Sequence, residues 1–373
     1  MMRATAVIVL YAVTLLAYAN PPTNRLGGPP WPSGVGQINT PSGLNTWQDW
    51  MGYDADVVVA WSHPASTWAD FRTGRADVGA YFQAALKALP KTTTIVHAYP
   101  MLPTEVSNRG CRNPGVWDQF AAGAFDSHYR EMARNMRSLI QNSGRDPSTV
   151  IIRLGWEMNG EWYPWSVCNK VTQFKQSWER AVRIIREEMP GIQFDFSVSR
   201  PYAGYTAGRN YAGSSGVNLA GFLPADNSYD FISRSTHDGQ PFTTSDATFE
   251  ASTLNPPPSA RSIGLVELRN TAVARGKKFA LSEWSAQMEN CEAAWPQSPN
   301  PALFLEKVYA FLLANADHVA WDAYFSVGCT QLHNRYSTDA AKMYKSLWGT
   351  SQPDGSGGNE NPTPNSPQQV RVE

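Results

Sequence analysis

Between about residues 34 and 348, short apolar runs rich in Val, Ile, Phe and Trp alternate with longer stretches whose apolar residues recur every three or four positions. The short runs, residues 34–39, 56–62, 93–99, 149–156, 192–199, 229–236, 278–284 and 319–326, read as strands. The segments 44–51, 67–86, 117–142, 171–188, 260–275, 301–315 and 340–347 between and after them read as helices. In the third of these, Phe120, Phe125, Tyr129, Met132, Met136 and Ile140 form a drifting i, i+4 stripe that one buried helix face would need. Eight strands alternating with helices are what a (β/α)8 barrel requires, closed by right-handed crossovers. The rival architecture is a doubly wound open sheet, but no Gly-x-Gly-x-x-Gly turn follows the first strand. One link departs from the alternation: residues 201–226 are rich in Gly, Ala, Tyr and Asn and read as a long loop.

The two ends follow other rules. Residues 1–19 read as a secretory signal, with Arg3, an apolar run over residues 6–16 and a small-x-small site at Ala17-Tyr18-Ala19. A membrane anchor is the alternative, but the run is shorter than the roughly 18–20 apolar residues of a spanning helix. Residues 351–373 carry almost nothing apolar and are expected to be disordered. The expectation is one barrel domain over residues 20–350, exported, free of the membrane once the signal is cleaved, and monomeric.

Composition narrows the partners. A formal net charge of −1, with no basic run, argues against nucleic acid. Cys111, Cys168, Cys291 and Cys329 are widely spaced, which in an exported chain points to two disulfides with three possible connectivities. A zinc site is the alternative, but no pair has Cys-x-x-Cys spacing. Several of the 14 tryptophans sit beside Pro, Gly or charged residues, where a flat apolar face serves binding better than packing.

The chemistry is concentrated in Val150 to Trp165, Val-Ile-Ile-Arg-Leu-Gly-Trp-Glu-Met-Asn-Gly-Glu-Trp-Tyr-Pro-Trp. A β-branched run passes abruptly into charged, amide and indole side chains, which a core strand cannot bury without partners. In a barrel, catalytic groups project from the carboxyl ends of strands. Glu157 ends the fourth strand and Glu283 ends the seventh, in Phe279-Ala280-Leu281-Ser282-Glu283-Trp284-Ser285. Two carboxyls facing across a cleft can cleave a glycosidic bond, one donating a proton and the other attacking the anomeric carbon. Either one alone also reads as half of a rim ion pair. No His-Glu-x-x-His and no Gly-x-Ser-x-Gly occurs, which leaves metalloprotease and serine-triad readings without a motif.

The first segment resembles the acid/base signature of family 26 glycoside hydrolases, a β-mannanase family of retaining (β/α)8 glycosidases, which reads Arg-Pro-Leu-His-Glu-Met-Asn-Gly-x-Trp with a further Trp three residues on. Arg153, Glu157, Met158, Asn159, Gly160, Trp162 and Trp165 match at the same spacing. The resemblance implies that Glu157 is the general acid/base and Glu283 the nucleophile. It departs at Trp156, where the family has His, and at Leu154-Gly155. It departs again at the end of the sixth strand, where Ser235-Thr236-His237-Asp238-Gly239 lacks the family's Tyr. His237, Tyr202 or Tyr205 is the candidate replacement.

Around this pair, Arg153 is a candidate hydrogen-bond partner that keeps the nucleophile ionised, with a structural ion pair as its other reading. Trp61, Trp156, Asn159, Trp162, Trp165, His237 and Trp321 are candidate substrate contacts, and Asp322 a candidate for a sugar hydroxyl. His97 and Tyr99 read as core groups that alternatively line the cleft. Cys111 and Cys168 fall in the loops after the third and fourth strands, and Cys291 and Cys329 in those after the seventh and eighth. Neighbouring loops can meet, so Cys111–Cys168 and Cys291–Cys329 are the expected pairs. The reading is a secreted retaining β-glycoside hydrolase, endo-acting and mannanase-like by resemblance, that needs no cofactor. Its rivals are the same machinery on a xylan, glucan or microbial exopolysaccharide, a non-catalytic carbohydrate-binding barrel, and a structural wall protein.

Overall fold

The computed structural model describes residues 28–350 apart from 37–40, 63, 76–80, 108–112, 204, 207–208, 211–215, 240, 287–297 and 335–337. The expected signal and tail lie outside these residues. Eight parallel strands form the barrel: β1 (Ser33–Gly36), β2 (Val57–Trp61), β3 (Thr94–Tyr99), β4 (Val150–Leu154), β5 (Gln193–Val198), β6 (Phe231–His237), β7 (Lys278–Ser285) and β8 (Val319–Phe325). They close in the order β1-β8-β7-β6-β5-β4-β3-β2. Each falls within a few residues of an apolar run in the sequence, because strands covered by helices outside and side chains inside can be apolar throughout.

The outer layer includes α1 (Pro41–Met51), α2 (Tyr81–Ala88), α3 (Asp126–Asn142), α4 (Val171–Glu188), α5 (Leu265–Ala274), α6 (Pro301–Ala314) and α7 (Asp339–Trp348). Two expected helices are each divided. The 67–86 segment gives Trp68–Arg72, opened by a capping box between Thr67 and Asp70, and then α2. The 117–142 segment breaks at Gly123, which has φ +96° and lies where a Cβ would meet the Arg180 guanidinium at 2.3 Å. Arg180 then clamps Asp126 at the start of α3 through two bonds of 2.5 and 2.7 Å. The 260–275 helix begins only at Leu265, since Pro258–Ala260 is a 3-10 turn that ends on Arg261 at φ +49°. In the 201–226 link, the described residues hold a two-residue hairpin and the four-residue helix Leu219–Phe222, in keeping with a loop.

Strand pleating sorts the side chains into an inner and an outer set. Outward residues carry the packing: Phe196 of β5 meets Trp178 of α4 at 4.9 Å, and His97 of β3 stacks on Phe82 of α2 at 3.7 Å. Inward residues form two polar layers. In the lower one, Asp195 accepts from Ser233 and Ser282, both at 2.7 Å, and Trp321 donates to Ser282 at 3.2 Å. The upper layer holds Arg153, Ser197, Ser235 and Glu283. A bulge in β7 makes that layer possible. Ser233 pairs with Ala280, but Ser235 pairs with Glu283, so β7 contains one residue more than β6 over the same distance. Strict alternation would send Glu283 to the opposite face from Ser282; the extra residue turns both inward.

Candidate active site

The site starts where β4 ends. Gly155 and Glu157 both have φ +55°, a conformation that is easy for glycine and strained for glutamate. A Cβ at Gly155 would lie 2.7 Å from that of Met101, so only glycine fits there. The backbone leaves the strand while bonded to both neighbours: Gly155 N donates to Tyr99 O (2.7 Å) and Glu157 N to Ser197 O (3.0 Å). Glu157 is thereby held at the carboxyl end of β4 and aimed across the barrel mouth. Such strain at one acidic residue, fixed by surrounding bonds, is characteristic of functional positions.

Glu157, Glu283 and His237 offer a carboxylate oxygen each and a ring nitrogen that all lie within 4.8 Å of one another. Arg153, buried, donates from Nη1 to Glu283 Oε2 at 2.9 Å, from Nη2 to Ser235 Oγ at 2.9 Å and from Nε to Ser197 Oγ at 2.7 Å. His237 Nε2 lies 3.5 Å from Glu283 Oε1, and its Nδ1 is 2.8 Å from Ser285 Oγ. Trp162 Nε1 donates to Glu157 Oε2 at 2.6 Å.

These surroundings separate the two carboxyls electrically. Burial, and then the negative charge of Glu283, raise Glu157 above the ordinary carboxylate value. Burial acts on Glu283 in the same direction, but Arg153 and His237 together outweigh it and hold Glu283 well below that value. The surroundings thus favour a proton on Glu157 and a charge on Glu283, the division of labour that acid/base and nucleophile roles require. The same trio of Glu157, His237 and Glu283 has the spacing of a small divalent-cation site, though Arg153 already supplies a positive charge to Glu283.

The other expected contacts divide. Trp61 lies at the barrel mouth, its ring 5.5 Å from the Arg153 guanidinium and edge-on to Phe325 at 5.4 Å. Trp165 is completely buried, stacked on Tyr163 at 4.6 Å, with Nε1 bonded to Trp156 O, and has no open face for a sugar. Trp156 is buried against Tyr163 and Trp165. Asn159 spends its amide on the backbone: Nδ2 donates to Ser199 O and Pro201 O, and Oδ1 accepts from Ser199 N, which pins the β4 loop to the end of β5. Trp321 belongs to the lower barrel layer, edge-on to Phe231 at 4.7 Å. Asp322, one residue on, points outward and accepts from Trp31 Nε1 (2.8 Å) and Trp284 Nε1 (3.0 Å). His97 is a core histidine, bonded to Ser62 Oγ at 2.7 Å and pushed down to about 3 by burial. Tyr99 is likewise buried, donating to Phe71 O. Tyr202 bonds Glu267 at 3.3 Å.

Several participants were not singled out from sequence. Ser197, Ser235 and Asp195 have a legible signal, the period-2 polar positions Asp195-x-Ser197-x-Ser199 and Ser233-x-Ser235-x-His237 on consecutive strands. Tyr163 has none, yet its phenol is pushed up by burial and then by the nearby charges of Glu157 and Glu283, which places it beside the pair. Cys168 is disulfide-bonded; Cys111 and Cys291, like the side chain of Cys329, lie outside the described residues, so the pairing is open. Among the described residues, no helix is long and apolar enough to cross a membrane.

No protein-family profile matches the sequence, and no characterised protein matches it by sequence. Solved structures do match. The YdhT protein from Bacillus subtilis is 14% identical, with a TM-score of 0.56 over 89% of this chain and 88% of that one. A modular endo-beta-1,4-mannanase from Cellulomonas fimi is 16% identical, with a TM-score of 0.57 over 86% of this chain and 72% of that one. The GH26 beta-mannanase BoMan26A from Bacteroides ovatus is 11% identical, with a TM-score of 0.56 over 86% and 88% of the two chains. What the likeness establishes is the architecture: this chain has the (β/α)8 fold of the family 26 glycoside hydrolases.

Proposed function

We propose that this protein is a secreted retaining glycoside hydrolase that cleaves a β-linked polysaccharide, with Glu283 as nucleophile and Glu157 as acid/base. The observation that carries the reading is the close approach of two carboxyls whose ionisation is driven apart, one by burial and the other by Arg153 and His237. Retaining enzymes hold their carboxyls roughly 5–5.5 Å apart, whereas inverting ones need about 6.5–9.5 Å to seat a water. One oxygen of Glu157 lies within 4.8 Å of one oxygen of Glu283, an approach in keeping with the shorter, retaining separation. Glu283 attacks the anomeric carbon while Glu157 protonates the departing glycosidic oxygen. Glu157, then ionised, takes a proton from the water that releases the sugar from Glu283. The expected disulfides, Cys111–Cys168 and Cys291–Cys329, would restrain the loops around this cleft.

Mannan is the leading substrate, on the likeness to mannanases together with the signature around Glu157. The second reading is another β-glycan, favoured by Trp156 and His237, which stand where mannanases of the family carry His and Tyr. The test is reducing-sugar release from β-mannans, xylans, glucans and bacterial exopolysaccharides. Glu157→Ala and Glu283→Ala should each abolish it while leaving the fold and glycan binding intact. Full activity in either variant would remove that residue from its role.

A further inference from the structure

Trp162 is half-buried and follows Glu157 by five residues beyond the end of β4, where a flat ring invites a role as a sugar platform. Its geometry points elsewhere. The indole N–H reaches Glu157 Oε2 at 2.6 Å, closer than the 2.9 Å from Arg153 Nη1 to Glu283 Oε2. The ring lies so closely over Gly160 that a Cβ there would come within 2.4 Å of two ring carbons. Gly160 N in turn donates to Glu157 O at 3.0 Å, so ring, glycine and glutamate form one closed turn. One face of Trp162 is therefore occupied by its own backbone, and its single polar atom is committed to the carboxyl.

We infer that Trp162 is a positioning residue for the acid/base, an inference that rests on the glycosidase reading above. An indole N–H can only donate. Oε2 of Glu157 is thus the acceptor, and because an unprotonated oxygen accepts more strongly, the bond favours Oε1 as the site of the proton that Glu157 transfers. The donor also favours the ionised carboxylate, opposing the rise that burial imposes. Gly160 is part of the device because any side chain there would lift the ring away.

Trp162→Phe keeps the ring and removes the donor. On polysaccharide, kcat should fall roughly 10- to 100-fold, part of what general acid catalysis supplies. The alkaline limb of kcat/KM should move up by about one pH unit, the lower part of what a hydrogen bond to a charged group is worth. Glycosylation by a dinitrophenyl glycoside, whose leaving group needs no proton, should proceed within a few-fold of the wild-type rate. Gly160→Ala retains the indole but displaces it, and should reproduce all three effects. It also covers the case in which Trp162→Phe fails to fold, as would be seen by circular dichroism. An unmoved alkaline limb in folded Trp162→Phe or folded Gly160→Ala, or equal losses on both substrates, overturns the inference. Glu157→Ala run alongside separates the two claims. If it keeps full activity on polysaccharide, the acid/base reading itself fails; if it is rescued only by the activated substrate, a failure of the Trp162 result concerns Trp162 alone.

Discussion

Glu283 and Asp322 are both buried acids on adjacent strands of one barrel, and they have opposite fates. Glu283 faces inward onto Arg153 and His237 and is held ionised. Asp322 faces outward, meets the indole N–H groups of Trp31 and Trp284, and is pushed up to about 6, burial being the main cause. Neutral donors cannot offset the loss of water around a carboxylate as a guanidinium does. The inner wall holds a carboxyl in its anionic form. The outer wall makes a clamp, in which Asp322 ties the segment before β1 and the end of β7 to β8. What a buried carboxyl does here depends on which side of the strand it emerges from.

The sharpest break of this contrast comes from exchanging the two acids for neutral groups. Glu283→Ala should reduce kcat by about three orders of magnitude or more, whereas Asp322→Asn should leave kcat nearly unchanged. A similar collapse in both would erase the distinction between the walls. Next in size is Arg153→Met, which strands Glu283 and Asp195 without their cation. Denaturant unfolding should register a loss of about 3–5 kcal/mol, and the acid limb of kcat/KM should shift to higher pH as Glu283 becomes easier to protonate.

The pH dependence of stability reports the outer wall. Asp322 has a folded-state value above its unfolded one, so the folded chain keeps a proton that the unfolded chain releases. Its contribution is fully present below about pH 4, declines as pH rises through about 6, and stays constant beyond; the total decline is up to about 3 kcal/mol. Subtracting the urea-unfolding profile of Asp322→Asn from that of the wild type should isolate this slope, and a flat difference would mean that Asp322 is ionised throughout. The smallest effect belongs to Trp321→Phe. Losing the bond to Ser282 should cost about 1 kcal/mol of stability, with KM unchanged. A tenfold rise in KM would return Trp321 to the substrate site.

The same contrast explains what was legible in the sequence. The strands were readable because a barrel wall enclosed on both sides is apolar almost throughout, and Glu157 and Glu283 stood out as acids that end such runs. Side-chain direction was harder to read. Trp321 and Asp322 are neighbours at a strand end, and only the pleat decides that one fills the barrel and the other braces its exterior. The β7 bulge has no sequence marker, although it alone turns Glu283 onto the same face as Ser282. The indoles near Glu157 were equally ambiguous: Trp165 packs, Trp162 donates to the carboxyl, and both occur in one short aromatic run. The serines around Arg153 were written as period-2 polar positions, a pattern that amphipathic strands facing solvent also produce.

The central claim is that Glu283 attacks the sugar. Incubation with 2-deoxy-2-fluoro glycosides bearing activated leaving groups, in the manno, gluco and xylo series, followed by peptide mapping, tests it directly. One of the series should inactivate the enzyme and leave a single fluoroglycosyl ester on Glu283, absent when Glu283→Ala is treated in the same way. An ester on any other carboxyl, or hydrolysis of the same glycosides with inversion and no trapped adduct, would contradict it.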